Sequence, residues 1–418
     1  MRIIYSLLLA LALPFIALRL CWRARRQPEY LQHVGERFGF YGDNIAAREG
    51  APLIWLHAVS VGETRAAEPL VRALLKKYPG HRILLTNMTP TGRAAGKALF
   101  GEDAINILHC YLPYDYPGAV ARFLSHFQPR AGVLMETEIW PNLVRACHQR
   151  ATPLYLVNAR LSEKSFARYQ RVGRLTTDTL QSLSAIAAQS NDDASRFKTL
   201  GAEAVTVTGN LKFDVTPPAS QLALGAQLRE RFGARRVLLA ASTRDGEEQI
   251  LINNKLHELN DALLVIVPRH PQRFDEVAAL LEQQQIPYQR RSANKSVPEQ
   301  TRVVLGDSMG EMVAYYAACD AAFIGGSLLS FGGQNLIEAC AVGKPVLIGP
   351  HTHNFAEAAE QAVAAGAAQR VMDGADLQHK ASALLANPNM TMRMSAAAWA
   401  FSNEHRGATQ KILELIRF

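Results

Sequence analysis

Short apolar segments recur along the first half of the chain, and each is followed by a polar turn and an amphipathic stretch. Residues 53–58 are the first such segment, and residues 64–78 then carry apolar side chains at helical spacing. The same pattern recurs at residues 83–85, 131–135, 153–157, 186–189 and 205–209. Because strands that alternate with helices form parallel sheets with right-handed crossovers, this half predicts an α/β domain.

A second series of the same kind follows a polar, proline-containing stretch. Thr216, Pro217 and Pro218 begin this stretch, which runs to Ser220 and is typical of an interdomain linker. The apolar segments beyond it are residues 237–241, 262–267, 302–305, 321–324 and 344–348. We therefore predict two α/β domains, at residues 23–215 and 219–418, which agrees with the length of 418 residues.

Carboxylates follow two of the predicted strands in the first domain. Glu63 comes after Gly62 at a strand-to-helix turn, where it could act as a general base for a hydroxyl group. An ordinary first-turn glutamate, stabilised by the helix dipole, would show the same pattern. Glu136 and Glu138 form a second candidate pair. Because they are two residues apart in a loop, we expect at most one of them to face a substrate.

A glycine-rich loop in the second domain, residues 325–338, predicts a nucleotide site. It follows the apolar segment 321–324, holds two glycine pairs, and leads into an apolar helical pattern that begins at Leu336. A helix N-terminus there would attract a phosphate, and Glu338, one turn after Asn335, could bind a ribose diol. A glycine-rich turn without any ligand remains the alternative interpretation.

Basic residues at other strand ends would complete such a site. Arg269 is the strongest candidate for a phosphate because a guanidinium group can bind two oxygens at once, and Lys212 could reach the same phosphate. A surface ion pair is the alternative role for Arg269. The sequence contains neither a G-x-G-x-x-G after the first strand, nor a Walker A motif, nor a D-x-D motif, which argues against NAD, P-loop ATP hydrolysis and metal-dependent sugar-nucleotide binding. His351 and His353 have no evident third partner for a metal.

The N-terminus predicts a membrane anchor at residues 1–22. An apolar run from Ile3 to Leu18 can be extended by residues 20–22, with Arg19 reaching back to the interface. A signal peptide cleaved after Ala12 is the alternative, but the basic cluster that follows resists translocation. That cluster comprises Arg19, Arg23, Arg25 and Arg26, within a formal net charge of +8. Five scattered cysteines form no C-x-x-C pair, as expected for a reduced cytosolic domain.

Seven motifs in order resemble those of the 3-deoxy-D-manno-octulosonic acid (Kdo) transferases of lipopolysaccharide synthesis. They are SVGE (60–63), TNMTPTG (86–92), METEIWPN (135–142), NARLS (158–162), GNLKFD (209–214), VPRHP (267–271) and GGQNLIE (332–338). The resemblance covers nearly the whole chain, including the N-terminal anchor and the segment GERFGFY (35–41).

The resemblance implies a glycosyltransferase B-type fold, in which two Rossmann-like domains face a cleft, with an N-terminal anchor. It implies inverting, metal-independent transfer of Kdo from CMP-Kdo to the lipid A precursor, without a cofactor and without a nucleic-acid partner. The catalytic domains would lie on the cytoplasmic side of the inner membrane.

The resemblance also implies roles for individual residues. Glu63 is the expected catalytic base, and Glu136 and Glu138 are weaker candidates on the acceptor side. The residues expected to bind CMP or substrate are Lys212, Ser242, Pro268, Arg269, Met309, Gly310, Glu311, Asn335, Leu336, Ile337 and Glu338. Arg244 departs from the family pattern, where we expect histidine in many relatives, so its role stays open.

Two other interpretations remain at this stage. The same fold could use a UDP-sugar, either as a glycosyltransferase or as an epimerase, although an epimerase with a soluble substrate does not need an anchor. A tethered lipid- or nucleotide-binding protein without activity is the non-enzymatic interpretation. The presence of both Glu63 and Arg269 argues against that last possibility.

Overall fold

The computed structural model describes residues 1–42, 51–214 and 216–418. The chain divides into two compact units: Met1–Asp214 together with Arg406–Phe418, and Val215–His405. Each unit contains one seven-stranded sheet in which all paired strands are parallel. The prediction of two parallel-sheet α/β domains is therefore confirmed.

The first unit carries strands β1 to β7 in the spatial order β3-β2-β1-β4-β5-β6-β7. The strands are β1 Leu53–His57, β2 Arg82–Asn87, β3 Ile107–Tyr111, β4 Ala131–Met135, β5 Leu154–Ala159, β6 Ala185–Ala188 and β7 Val205–Val207. The helices are α1 Arg2–Ala24, α2 Val61–Ala66, α3 Glu68–Lys77, α4 Pro90–Leu99, α5 Pro117–Phe127, α6 Pro141–Gln149, α7 Glu163–Val172, α8 Arg174–Gln181 and α9 Asn191–Thr199.

The second unit carries strands β8 to β14 in the spatial order β10-β11-β9-β8-β12-β13-β14. The strands are β8 Val237–Thr243, β9 Leu263–Pro268, β10 Tyr288–Arg290, β11 Val303–Leu305, β12 Ala321–Ile324, β13 Val346–Ile348 and β14 Ala368–Arg370. The helices are α10 Ala219–Phe232, α11 Glu247–Asn253, α12 Phe274–Gln283, α13 Met312–Ala318, α14 Ile337–Ala341, α15 Ala356–Ala364, α16 Gly374–Ala386 and α17 Pro388–Glu404.

The C-terminal segment belongs to the first unit, whereas we assigned all of residues 219–418 to the second domain. Helix α18, Ala408–Leu415, buries Ile412 in the core of the first unit. The Asp214 carboxylate accepts hydrogen bonds from the backbone N–H groups of Gly407 and Thr409. These contacts join residues almost 200 positions apart, which no local sequence pattern reveals. Residue 215, where we ended the first domain, lies outside the described residues.

The helix predicted at residues 64–78 is in fact two helices. Helix α2 ends at Ala66 and α3 begins at Glu68, with Ala67 between them. Pro69 lies in the first turn of α3 and has no backbone N–H to donate to the preceding turn. The apolar periodicity continues through the break, so periodicity alone could not show it.

Each sheet has a point at which the direction of strand addition reverses. In the first sheet β1 lies between β2 and β4, and Leu56 is in register with Val133. In the second sheet β8 lies between β9 and β12, and Ala241 is in register with Ile324. Open α/β sheets bind ligands at the carboxyl ends of strands at such switch points. The residues that follow β1 and β4, and those that follow β8 and β12, are therefore candidates for two sites.

Candidate functional site

Glu63 lies at the switch point of the first sheet, in the first turn of α2. Ser60 is the N-cap of this helix and accepts a hydrogen bond from the Glu63 backbone N–H. The Glu63 carboxylate accepts hydrogen bonds from the Val59 backbone N–H at 2.8 Å and from the Ser60 hydroxyl at 3.1 Å. These contacts form a variant of the capping box, which fixes the position of the carboxylate.

The surroundings of Glu63 favour its protonated form. Burial raises the pKa of Glu63 to about 7, against the opposing effect of the Val59 N–H, and the negative charges of Glu136 and Glu138 raise the pKa further. A carboxyl group with a pKa near 7 is well matched to proton transfer at neutral pH. Glu63 is thus both a first-turn capping residue and a group suited to act as a general base.

Glu136 and Glu138 follow β4, the neighbour of β1, so the sheet brings all three carboxylates to one edge. Glu136 has a left-handed backbone conformation with φ of 57°. The Glu138 carboxylate accepts a 2.6 Å hydrogen bond from the Trp140 indole N–H, and burial raises the pKa of Glu138. Glu138 therefore has a local partner, and both residues act on Glu63 through their charges.

His57 lies at the same edge of the first sheet as Glu63, and no sequence pattern singled it out. It is fully buried at the end of β1, and its Nδ1 lies 2.9 Å from the Thr86 hydroxyl. Burial lowers the pKa of His57 to about 3, so the ring is neutral. Its ring packs edge-on against Trp140, with centroids 6.0 Å apart. His57 therefore supports the loop that carries Glu138 and does not titrate near neutral pH.

We expected the backbone N–H groups of the glycine loop to be available to a phosphate, but two of them bind a protein carboxylate. The carboxylate of Glu247, in the first turn of α11, accepts hydrogen bonds from Gly326 N–H at 2.6 Å, Leu328 N–H at 3.1 Å and Arg244 N–H at 2.9 Å. Glu247 is fully buried. It occupies the N–H groups of Gly326 and Leu328, so these two donors are not directed at a ligand. An acidic residue in a first helical turn is only a weak sequence signal for this role.

Asn335 and Glu338 lie together at the start of α14, as their spacing predicted. The Asn335 side chain accepts a hydrogen bond from Ile337 N–H and donates one to the Glu338 carboxylate, each at 3.0 Å. Leu336 and Ile337 are fully buried, so their side chains pack in the core and only their backbone could contact a ligand. Helix α14 has only five residues, which makes its dipole weaker than we expected.

Three basic side chains follow β8 and β9 in the second unit. Arg269 comes directly after Pro268, the buried last residue of β9, and its backbone N–H donates to the Thr243 carbonyl at 3.0 Å. Arg244 Nη1 lies 2.7 Å from Nε2 of His270, and the Arg244 guanidinium carbon lies 4.7 Å from the centre of the Phe331 ring. Burial lowers the pKa of His270, and the nearby charges of Arg244, Arg269 and Arg273 lower it further.

The neutral His270 ring can therefore accept the hydrogen bond from Arg244. Arg244, whose role was open from the sequence, thus lies at the same edge of the second sheet as Arg269. Ser242, in β8, adopts a left-handed backbone conformation with φ of 56° immediately before Thr243. The pairing of β8 with β9 shifts register at this residue, between Ala241 and Thr243.

The remaining predicted residues lie in two other places. Gly310 has φ of 78° in the turn after β11, and the neighbouring Met309 is exposed. The Glu311 carboxylate accepts hydrogen bonds from Arg291 at 3.1 Å and from Ser308 at 2.6 Å, so both its oxygens have protein partners. Lys212 belongs to the first unit, in the 3-10 turn Leu211–Phe213.

Among the residues that the structure describes, no three His, Cys, Asp or Glu side chains are grouped so as to hold a metal ion. His351 and His353 are therefore not part of such a group. The role of metal ions in the reaction stays a prediction.

Sequence comparisons relate the chain to known proteins over its full length. Residues 32–215 match the family model described as 3-deoxy-D-manno-octulosonic-acid transferase (kdotransferase), and residues 249–400 match glycosyl transferases group 1. A 3-deoxy-D-manno-octulosonic acid transferase of Bordetella pertussis is 45% identical, with 99% of this chain and 98% of the relative aligned. The enzyme of the same name from Haemophilus influenzae is 38% identical, with 100% of this chain and 98% of the relative aligned.

Solved structures of sugar-nucleotide enzymes share the fold. A UDP-GlcNAc 2-epimerase from Neisseria meningitidis, solved with UDP-GlcNAc, matches with a TM-score of 0.58 and 16% sequence identity, over 87% of this chain and 99% of that chain. At this identity the likeness concerns only the architecture of two Rossmann-like domains.

Proposed function

The chain belongs to the 3-deoxy-D-manno-octulosonic-acid transferase family, a glycosyltransferase family of lipopolysaccharide synthesis, and on this basis we propose that it transfers Kdo from CMP-Kdo to the lipid A precursor lipid IVA. In this proposal the first unit binds the acceptor and the second binds the donor. The reaction inverts the anomeric centre and uses no metal ion.

The observation that carries the proposal is the environment of Glu63. The acceptor is a primary sugar hydroxyl, which is a poor nucleophile while it is protonated. Glu63 is fixed by Val59 and Ser60, and burial raises its pKa to about 7. In our proposal Glu63 accepts the proton of the acceptor hydroxyl. The hydroxyl oxygen then forms a bond to the anomeric carbon as the bond between that carbon and CMP breaks. The displaced CMP carries away the bonding electron pair.

The leaving group needs stabilisation of charge more than it needs a general acid, because CMP is a stable anion. Arg269 is the residue that we assign to the phosphate, with Arg244 as a second cation at the same edge of the second sheet. Asn335 and Glu338 already contact each other at the start of α14 and present an amide and a carboxylate for the ribose and base.

Helix α1 supports a location at the inner membrane. It has 23 residues and an 18-residue window of mean hydropathy 2.2, so it is long and apolar enough to cross a bilayer. An acceptor that resides in the membrane and a donor from the cytosol together favour catalytic units on the cytoplasmic face.

The test is a transfer assay with the purified full-length protein, lipid IVA, and either CMP-Kdo or UDP-N-acetylglucosamine. We expect the lipid to gain Kdo only from CMP-Kdo, with unchanged rates in EDTA and with inverted anomeric configuration in the NMR spectrum of the product. Conversion of the UDP-sugar without a lipid acceptor would instead identify an epimerase. Binding of both substrates without any product would identify an inactive binding protein.

A further inference from the structure

One face of helix α1 contacts the first unit. The residues that are partly covered recur every three or four positions, so they form one face of the helix. They are Tyr5, Ser6, Leu9, Ala12, Ile16, Leu20 and the buried Ala24. A groove of about 450 Å³ between α1 and helices α5 and α6 is lined by Leu7, Ala121 and Arg150, among other residues. Helix α1 is therefore part of the first unit and does not project away from it.

Hydrogen bonds hold the beginning of α1 to the unit. The Tyr5 hydroxyl donates to the Asp115 carboxylate at 3.0 Å, and the Ser6 hydroxyl donates to the Asn142 side chain at 3.1 Å. The Tyr116 hydroxyl donates to the Leu9 carbonyl at 2.8 Å. These contacts lie within the first third of the helix.

The partners of α1 mark one particular edge of the sheet. Asp115 and Tyr116 follow β3, and Asn142 follows β4, so they lie at the carboxyl ends of the strands, where Glu63 and Glu136 also lie. If α1 crossed a bilayer, its first residues would be separated from this edge by a hydrocarbon layer of roughly 30 Å. Crossing is thus incompatible with the hydrogen bonds of Tyr5 and Ser6.

The opposite face of α1 is an exposed apolar stripe. Its members recur at intervals of four and three residues, and each is more than half exposed. They are Ile4, Leu8, Leu11, Phe15, Leu18 and Trp22. An exposed stripe of this size on a folded unit marks an interaction surface.

The charges around the stripe identify its partner. Residues 1–28 contain Arg2, Arg19, Arg23, Arg25 and Arg26 and no acidic residue. A second copy of the same helix would bring like charges together, whereas an anionic lipid surface offers both an apolar interior and negative headgroups. The combination of stripe and charge therefore matches the surface of an anionic bilayer.

We propose that α1 lies in the plane of the membrane surface, with its apolar stripe in the lipid, and does not cross the bilayer. The carboxyl edge of the first sheet, with Glu63, is thereby held next to the lipid surface. The proposal rests on the proposed function only in that the acceptor is a membrane lipid; the orientation of α1 follows from its contacts. This differs from a spanning anchor, which leaves the distance between the sheet edge and the bilayer undefined.

The proposal is tested by finding from which side of the membrane a cysteine at the start of α1 can be labelled. Cys21 is exposed and the other four cysteines are buried, so Cys21→Ser supplies a background with low labelling. Arg2→Cys is added to it, and Glu102→Cys, at an exposed site on the body of the first unit, is the matched reference. Inside-out and right-side-out inner-membrane vesicles are treated with a membrane-impermeant maleimide.

We expect both cysteines to be labelled from the cytoplasmic side, in inside-out vesicles, at least tenfold more than in right-side-out vesicles. Labelling of Arg2→Cys from the opposite side to Glu102→Cys would overturn the proposal, because it would show that α1 crosses. The assay does not use turnover, so it remains informative even if the protein failed to transfer Kdo.

A second measurement tests the stripe itself. The variant Leu11→Asn with Phe15→Asn should float with preformed phosphatidylglycerol-containing vesicles at least tenfold less than the unmodified protein. The control, Met392→Asn with Trp399→Asn, removes two exposed apolar side chains of the second unit and should float normally. Equal flotation of the stripe variant and this control would show that the stripe does not bind lipid.

Discussion

Both sheets have seven parallel strands and a switch point beside their first strand, but they differ in strand order and in the charge that they collect at that point. The first sheet brings together three carboxylates, Glu63, Glu136 and Glu138, whose mutual repulsion adds to burial in raising the pKa of Glu63. The second brings Arg244 and Arg269 to its own switch point, where burial lowers the pKa of His270 and the charges of these arginines lower it further. The architecture thus determines where a site lies, and the residues at the strand ends determine whether it suits proton removal or anion binding.

Glu247 makes the contrast sharper. It is a buried carboxylate at the basic edge of the second sheet. Unlike that of Glu63, its carboxylate accepts hydrogen bonds from three backbone N–H groups. Burial raises its pKa and those N–H groups oppose the change. Glu247 therefore holds the glycine loop against the start of α11. Glu63 is the carboxylate whose pKa suits proton transfer near neutral pH.

The largest effect should come from removing the base in the first unit. Glu63→Gln keeps the size of the side chain and loses the ability to accept a proton, so turnover on lipid IVA should fall by about 10²- to 10⁴-fold. CMP binding, measured by calorimetry, should stay within about twofold of the unmodified protein, because Arg269, Asn335 and Glu338, to which we assign the donor, lie in the second unit.

Matched variants test whether the role belongs to Glu63 alone. Glu136→Gln and Glu138→Gln remove the same charge from the same edge and should retain turnover within about tenfold. Near-normal turnover in Glu63→Gln, together with a collapse in either of the others, would transfer the role of base to the pair that follows β4.

The second largest effect should come from the basic edge. Arg269→Ala removes a charge-assisted contact to phosphate worth about 1.5–3 kcal/mol, so the affinity for CMP should fall roughly 10- to 150-fold. Arg269→Lys should recover only part of this loss, because a lysine cannot form the two-pronged contact. Calorimetric titration with CMP gives both values, and unchanged affinity in both variants would exclude Arg269 from the site.

The sequence predicted the interior strands of both sheets and the edge strand β7, and it missed the three other edge strands. Interior strands such as β1 and β12 are continuous apolar runs because both of their faces are buried. The missed strands β3, β10 and β14 lie at sheet edges and contain His109, Gln289 and Arg370, among other partly exposed residues. Edge strands tolerate such residues, so their apolar pattern is too weak to detect.

The candidate site likewise contains residues that could be predicted from the sequence and residues that could not. Glu63, Arg269, Asn335 and Glu338 could be proposed because they follow recognisable strands or loops at fixed spacing. The role of Glu247 depends on the backbone N–H groups of Gly326 and Leu328, which lie far away in sequence. The periodicity of α1 could not distinguish a spanning helix from a surface helix, because nearly all of its residues are apolar. Only the partners of Tyr5 and Ser6 made that distinction.

A smaller effect concerns the pH dependence created by the three carboxylates. A base acts in its deprotonated form, so kcat/KM for lipid IVA should rise with pH and level off above the pKa of Glu63, about 7. Glu136→Gln removes a negative charge that raises this pKa, so the rising limb should move to lower pH. A pH–rate profile of the two proteins measures the change. An unchanged profile would show that the two carboxylates are not coupled, and a shift to higher pH would contradict the assignment of the rising limb to Glu63.

The smallest effect, and the finest test of the contrast between the edges, concerns Arg244. Arg244→Gln removes one of the three positive charges that depress the pKa of His270, so this pKa should rise, as measured by NMR titration of the imidazole protons. Arg244 is only partly buried, so its interaction with the phosphate should be worth about 0.5–1 kcal/mol, and CMP affinity should fall roughly two- to fivefold if the arginine supports the donor site. Lys255→Gln, at an exposed position beyond α11, is the matched control and should change neither value. A higher His270 pKa with unchanged CMP affinity would show that Arg244 orders the loop without contributing to the binding of the donor.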